Sequence, residues 1–72
     1  MKEVKVLIHT DYIKLESLLK LAGICLSGGE AKQLIGQGQV QFGGEVCLQR
    51  GKKCRPGDQI EINSTILLLA AE

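Results

Sequence analysis

Four cations fall within six residues in Arg50-Gly51-Lys52-Lys53-Cys54-Arg55. The chemistry open to such a run is to attract phosphate oxygens and displace their counterions. A solvated basic loop is the bland alternative for the same residues. A second candidate lies upstream, where Ser27-Gly28-Gly29 opens a helix with two positions free of side chains. A phosphate can approach the backbone N–H groups there, at the positive end of the helix dipole. Glu30 competes for those donors, so an ordinary capped helix fits equally well. Lys32 follows within one turn and can face the same anion. Gln33, Gln39 and Gln41 can hydrogen-bond sugar or bases, although Gln is also common on exposed strands.

Catalytic constellations are absent by the same inspection. The one histidine, His9, stands in an apolar-alternating segment without a nucleophile motif, and the carboxylates are scattered. Neither glycine-rich piece has the spacing of a P-loop or a dinucleotide fingerprint. Cys25, Cys47 and Cys54 are an odd set without a C-x-x-C pair, which argues against a disulfide framework or a zinc site and for a reducing compartment. A remote enzymatic reading rests on Cys54 alone, since Lys53 and Arg55 on either side favour its thiolate. No cofactor is expected.

A chain of 72 residues buries only about 60% of its unfolded surface and supports one core, so residues 1–72 are read as a single domain. Without Trp, and with Tyr12 and Phe42 as the aromatics, that core must be aliphatic and base stacking on an aromatic platform is disfavoured. The net charge of +1 hides an uneven distribution. From Ala31 to Gly57 five cations meet only Glu45, a local balance of +4, while the remainder carries four lysines and seven acids. The N-terminal apolar run is too short, and interrupted by Lys5, for a signal peptide or a membrane span. A cytoplasmic protein is expected, with the monomer favoured and no membrane partner.

The elements that must position these residues follow from periodicity. Val4, Val6 and Ile8 alternate as a strand with one buried face. Thr10 or Asp11 can cap a helix that runs from Tyr12, with Leu15, Leu18, Leu19 and Ala22 as its stripe and Gly23 as its stop. Ser27 and Glu30 match a capping box for a second, two-turn helix ended by Gly36 and Gly38. Gln39 to Phe42 alternates into a strand, Gly43-Gly44 makes a tight turn, and Val46 and Leu48 resume the buried face. Residues 50–55 read as a loop or irregular edge. Pro56-Gly57-Asp58 turns the chain into the strand Gln59 to Ile62, and Asn63-Ser64 turns it again. Ile66 to Ala70 is continuously apolar, which suits a strand covered on both faces or nearly so and paired near the N-terminal strand. The fold class is therefore α+β in the order β-α-α-β-β-β-β, with two short helices packed on a small, mostly antiparallel sheet.

The ordered set Lys14-Leu15-Glu16, Leu18-Leu19, Ala22-Gly23, Ser27, Glu30-Ala31-Lys32, Leu34-Ile35, Gly38, Val40 and Gly44 resembles the S4-like RNA-binding domain, also called the αL motif. The resemblance continues to Pro56-Gly57-Asp58 with Ile60. It is similar to the short stand-alone bacterial branch, in which S-G-G-x-A-K and a basic R-G-K-K segment recur. The resemblance implies an RNA-contacting surface on the second helix and the following hairpin. By position that surface is Lys14, Ser27, Gly28, Gly29, Lys32, Gln33 and Gln41, with Arg50, Lys52, Lys53 and Arg55 added by charge. Many members carry Arg after the capping Ser, where this chain has Gly28, and further cations along the helix, where it has Gln33 and Gly36. The basic segment must therefore share the binding. The expected role is non-catalytic binding of structured RNA, with ribosomal RNA, a ribosomal subunit or transfer RNA as partner. The alternative is a protein-interaction adaptor that uses the apolar C-terminal segment, with Ile66 to Leu69 as its motive, or a sheet edge.

Overall fold

In the computed structural model, which describes residues 2–72, the alternating N-terminal segment forms strand β1, Lys2–Ile8, with Val6 and Ile8 buried and Val4 half-buried. It pairs in parallel with β7, Thr65–Ala71, and β7 pairs antiparallel with β6, Gln59–Ile62. The sheet continues through β3, Gln41–Phe42, to β4, Glu45–Val46, in the order β1-β7-β6-β3-β4. The pairing of the last apolar segment with the first strand is as expected. Both of its tight turns are also where the sequence puts them. Gly43 and Gly44 have φ of 61° and 90°, and Asn63 and Ser64 have 51° and 57°. Two successive positive φ values match the right-handed twist of a hairpin, which glycine and asparagine adopt at least cost.

Helices α1, Leu15–Leu21, and α2, Gly28–Gly36, cover one face of this sheet. Neither is long enough to be stable alone, so both depend on burial. Leu15, Leu18, Leu19, Ala31 and Ile35 meet Val6, Ile8, Ile60, Ile62, Leu67 and Leu69 in one aliphatic core. The opposite face of the sheet carries no helix. Ile66, Leu68 and Ala70 point there and are half-buried, while Leu67 and Leu69 are buried under the helices. The continuous apolar run is thus covered on one face and only partly on the other. It is also an interior strand, since β1 and β6 pair on its two sides. Ile66 to Leu69 is therefore not itself a sheet edge, and what the adaptor reading keeps is the half-buried open face or another strand's edge.

Three local expectations are corrected. Helix α1 starts at Leu15 rather than near Tyr12, and neither Thr10 nor Asp11 caps it: Lys14 occupies the cap position without a side-chain bond. Thr10 Oγ1 donates to the Tyr12 carbonyl instead. The first helical N–H groups find partners far along the chain, Leu15 N–H donating to the Lys52 carbonyl at 2.9 Å and Glu16 N–H to that of Arg50 at 3.2 Å. Of the two readings of residues 50–55, the irregular edge is the one that holds. Lys53–Cys54 forms β5, which pairs antiparallel with β2, Ile13–Lys14, in a second, two-stranded sheet. Finally, Val46 and Leu48 are 55% and 62% exposed: β4 is the edge strand, Val46 pairs with Gln41 on the open face, and Leu48 lies beyond the strand's end; Cys47, between them, is half-buried.

Candidate nucleic-acid interface

The short sheet β2–β5 concentrates the charge. Its register sets Lys14 directly opposite Lys53 and Ile13 opposite Cys54. Directly opposed residues share a face, so two lysines leave the sheet on the same side, and like charges at such positions cost stability that an anion between them would relieve. The apolar pair faces inward: Cys54 is fully buried and Ile13 half-buried. Main-chain bonds from α1 to the Lys52 and Arg50 carbonyls hold the rest of the segment against the helix start. Those carbonyls satisfy N–H groups that otherwise lack partners, which leaves the side chains of Arg50 and Lys52 for other contacts.

Aromatic rings support two of the cations. Lys52 Nζ lies 5.0 Å from the Phe42 ring centroid, and Lys53 Nζ lies 5.0 Å from that of Tyr12. Each contact is worth about 0.5–1 kcal/mol at an exposed site, enough to orient a side chain and weak enough to yield to a phosphate. Arg55 is exposed; its backbone N–H donates to Asp58 Oδ2 at 2.7 Å, and the Asp58 N–H returns a bond to the Arg55 carbonyl at 3.0 Å. Among the described residues, none of Lys14, Arg50, Lys52, Lys53 or Arg55 forms a salt bridge.

The α2 start is a separate feature. Glu30 N–H donates to Ser27 Oγ at 3.3 Å, whereas the Ser27 N–H does not donate to the Glu30 carboxylate among the described residues, so the capping box is half formed. Neither Gly28 nor Gly29 has a positive φ. A Cβ at Gly28 would meet nothing within 4 Å, and one at Gly29 only Ser27 Oγ at 3.9 Å. Neither backbone conformation nor crowding accounts for these glycines; what they do is leave the helix start uncovered. Lys32 and Gln33 are exposed on α2. No hydrogen bond or strand pairing among the described residues links Ser27–Gly29 to residues 50–55. Gln41 lies apart from both groups. It pairs with Glu61 and Val46, and alternation from Phe42, which pairs with core-facing Ile60, puts its side chain on the open face.

The long-range parts of the arrangement escape local inspection. Tyr12 as a support for Lys53, and Lys14 as its neighbour, follow from a pairing across some forty residues, while Phe42 reaches Lys52 through the intervening hairpin. The one available signal is complementary alternation, Ile13-Lys14 against Lys53-Cys54.

The cysteines behave as structural thiols. Cys25 and Cys54 are buried and Cys47 is half-buried, all three unbridged. Burial pushes the Cys54 thiol up from 9.0 to about 11, with Asp58 and Cys47 adding to the rise and Lys52 opposing it. This overturns the lowered pKa expected from the adjacent cations: desolvation outweighs them because the side chain points into the core while theirs point out. The protonated form is favoured by folding, so the Cys54 contribution is fully present below pH 9.0 and is lost as the pH rises towards about 11. Alkylation at pH 8 followed by peptide mass mapping is expected to label Cys47 first. Cys25 and Cys54 should react only at the rate of unfolding; rapid labelling of Cys54 would contradict this assignment.

No helix of the described residues is long and apolar enough to cross a membrane. The family model described as "S4 domain" matches residues 6–69. The chain is also similar to the "Probable ribosome maturation protein RlbA" of Bacillus subtilis (strain 168), with 40% identity over 55 residues that cover 76% of this chain and 78% of that protein.

Proposed function

The chain belongs to the S4 domain family, and from that membership we propose that it is a non-catalytic cytoplasmic protein, one domain over residues 1–72, that binds structured RNA through its phosphate backbone. The observation that carries this reading is the Lys14–Lys53 pair, two like charges held together by strand register. With Arg50, Lys52 and Arg55 they form one cationic surface whose repulsion a phosphate relieves. The uncovered α2 start, Ser27, Gly28 and Gly29 with Lys32 and Gln33, supplies a second contact through backbone N–H groups. Gln41 joins only where RNA wraps past the sheet edge, since its side chain is on the open face.

Ribosomal RNA, a ribosomal subunit or transfer RNA is the proposed partner. The similarity to a protein named for ribosome maturation supports the ribosomal direction. Positioning or stabilising the RNA, rather than altering it covalently, is the role that a basic surface without a nucleophile performs. Ultraviolet crosslinking in cells, followed by sequencing of the bound RNA, tests this: enrichment of ribosomal or transfer RNA over other transcripts is expected. A protein partner retained after ribonuclease treatment, with no RNA above background, would instead identify a protein adaptor.

A further inference from the structure

Beside the cationic surface, a cleft of about 170 Å³ is lined by Phe42, Glu45, Val46, Cys47, Gln49 and Lys52. Its walls are set by the main chain. Strand register puts Glu45 opposite Phe42, so the carboxylate and the ring share a face. Cys47 N–H donates to the Val40 carbonyl at 2.9 Å, and Lys52 N–H to that of Gln49 at 3.3 Å, which ties the far wall to the hairpin and closes the turn. The Lys52 ammonium stands 5.0 Å from the Phe42 centroid. Glu45 and Lys52 line the same cleft yet form no salt bridge among the described residues.

A phosphate does not suit this cleft, because Glu45 repels it and Phe42 offers it nothing. The lining suits a flat group with apolar faces and a polar edge that presents both a donor and an acceptor. Nucleobases have that form when they are unpaired. Glu45 accepts from an exocyclic amine, as carboxylates do from cytosine N4, while Lys52 donates to an adjacent ring nitrogen or carbonyl and Gln49 can do either. Resting on the RNA-binding proposal above, we infer that this cleft receives one unpaired base whose exocyclic amine adjoins an acceptor ring nitrogen on its Watson–Crick edge, cytosine or adenine but not guanine, from an RNA whose backbone crosses residues 50–55. The protein then reads one nucleotide in addition to phosphate geometry.

The test uses RNA hairpins identical except for one position in the stem: fully paired, or with a single bulged C, A or U. The bulged C and bulged A hairpins are expected to bind about tenfold tighter than the paired and bulged U hairpins. Glu45→Ala, at an exposed position on an edge strand, should abolish that preference while leaving the paired hairpin bound as well or better, since a negative charge has gone. Phe42→Leu, which keeps an aliphatic core contact, should also lose the preference. Equal affinity of the wild type for paired and bulged hairpins, or a Glu45→Ala variant that tightens all four equally, would overturn the base site and leave phosphate binding intact. Failure to bind any hairpin would overturn both proposals.

Discussion

The variant Lys52→Glu/Lys53→Glu/Arg55→Glu is expected to bind structured RNA about 100-fold or more weakly at ~0.1 M salt. Three phosphate contacts are lost and three repulsions take their place, in an interaction dominated by counterion release. The fold should survive, because the main-chain carbonyls of Arg50 and Lys52 that hold the start of α1 do not depend on these side chains. The β2–β5 pair should if anything gain, since Lys14 then faces Glu at position 53, an opposite-charge cross-strand pair worth about 0.2–1 kcal/mol. Loss of the two cation–π contacts offsets part of that gain. Circular dichroism and the urea midpoint therefore check that lost binding is not lost structure. As a control, Lys2→Glu/Lys5→Glu on β1, the sheet edge opposite β4, lowers the net charge while leaving residues 50–55 unchanged. It should cost less than about threefold, given screening beyond roughly 10 Å at this salt. Equal losses in the two variants would mean that overall charge, not this surface, governs binding.

The second large effect concerns stability. Leu67→Ala is expected to destabilise the protein by about 2–5 kcal/mol, the range for a buried leucine that leaves a cavity. A chain of 72 residues has about 4–11 kcal/mol in total, so the variant should be partly or wholly unfolded at 37 °C. Leu67 is fully buried between Val4 on β1 and Ile60 on β6, at the centre of the sheet. Leu68→Ala, one residue along, removes the same atoms from the open face and should cost less than about 1.5 kcal/mol, because that side chain is only half-buried. Urea denaturation of both variants checks the contrast. Similar losses would show that the open face is covered in solution.

That contrast marks where the sequence stops being legible. A run of five apolar residues from Ile66 to Ala70 has no period, so nothing in it tells which face the helices cover; the register with β1 and β6 decides. By contrast, Val4-Lys5-Val6 carries its own period, and Ser27 with Glu30, Gly43-Gly44 and Asn63-Ser64 carry their own cap and turn chemistry. These elements formed where local inspection puts them. The start of α1 failed for a physical reason: its N–H groups are satisfied by residues 50 and 52 rather than by a nearby Thr or Asp. The same contact turns an apparent loop into β5 and gathers the cationic surface. Charge composition thus pointed to the cationic segment, while Lys14 opposite Lys53 and the two aromatic supports needed the fold. For Cys54, flanking charge was the wrong guide because burial dominated it.

The most direct test of phosphate binding through the cationic surface is the affinity of the wild-type protein for one structured RNA hairpin, measured from about 50 to 200 mM salt. A plot of log K against log[salt] is expected to fall with a slope of about −3, corresponding to roughly four neutralised phosphates. In the Lys52→Glu/Lys53→Glu/Arg55→Glu variant the slope should shrink to near −1. An affinity that does not change with ionic strength, or a slope that is the same in the folded variant, would contradict the account.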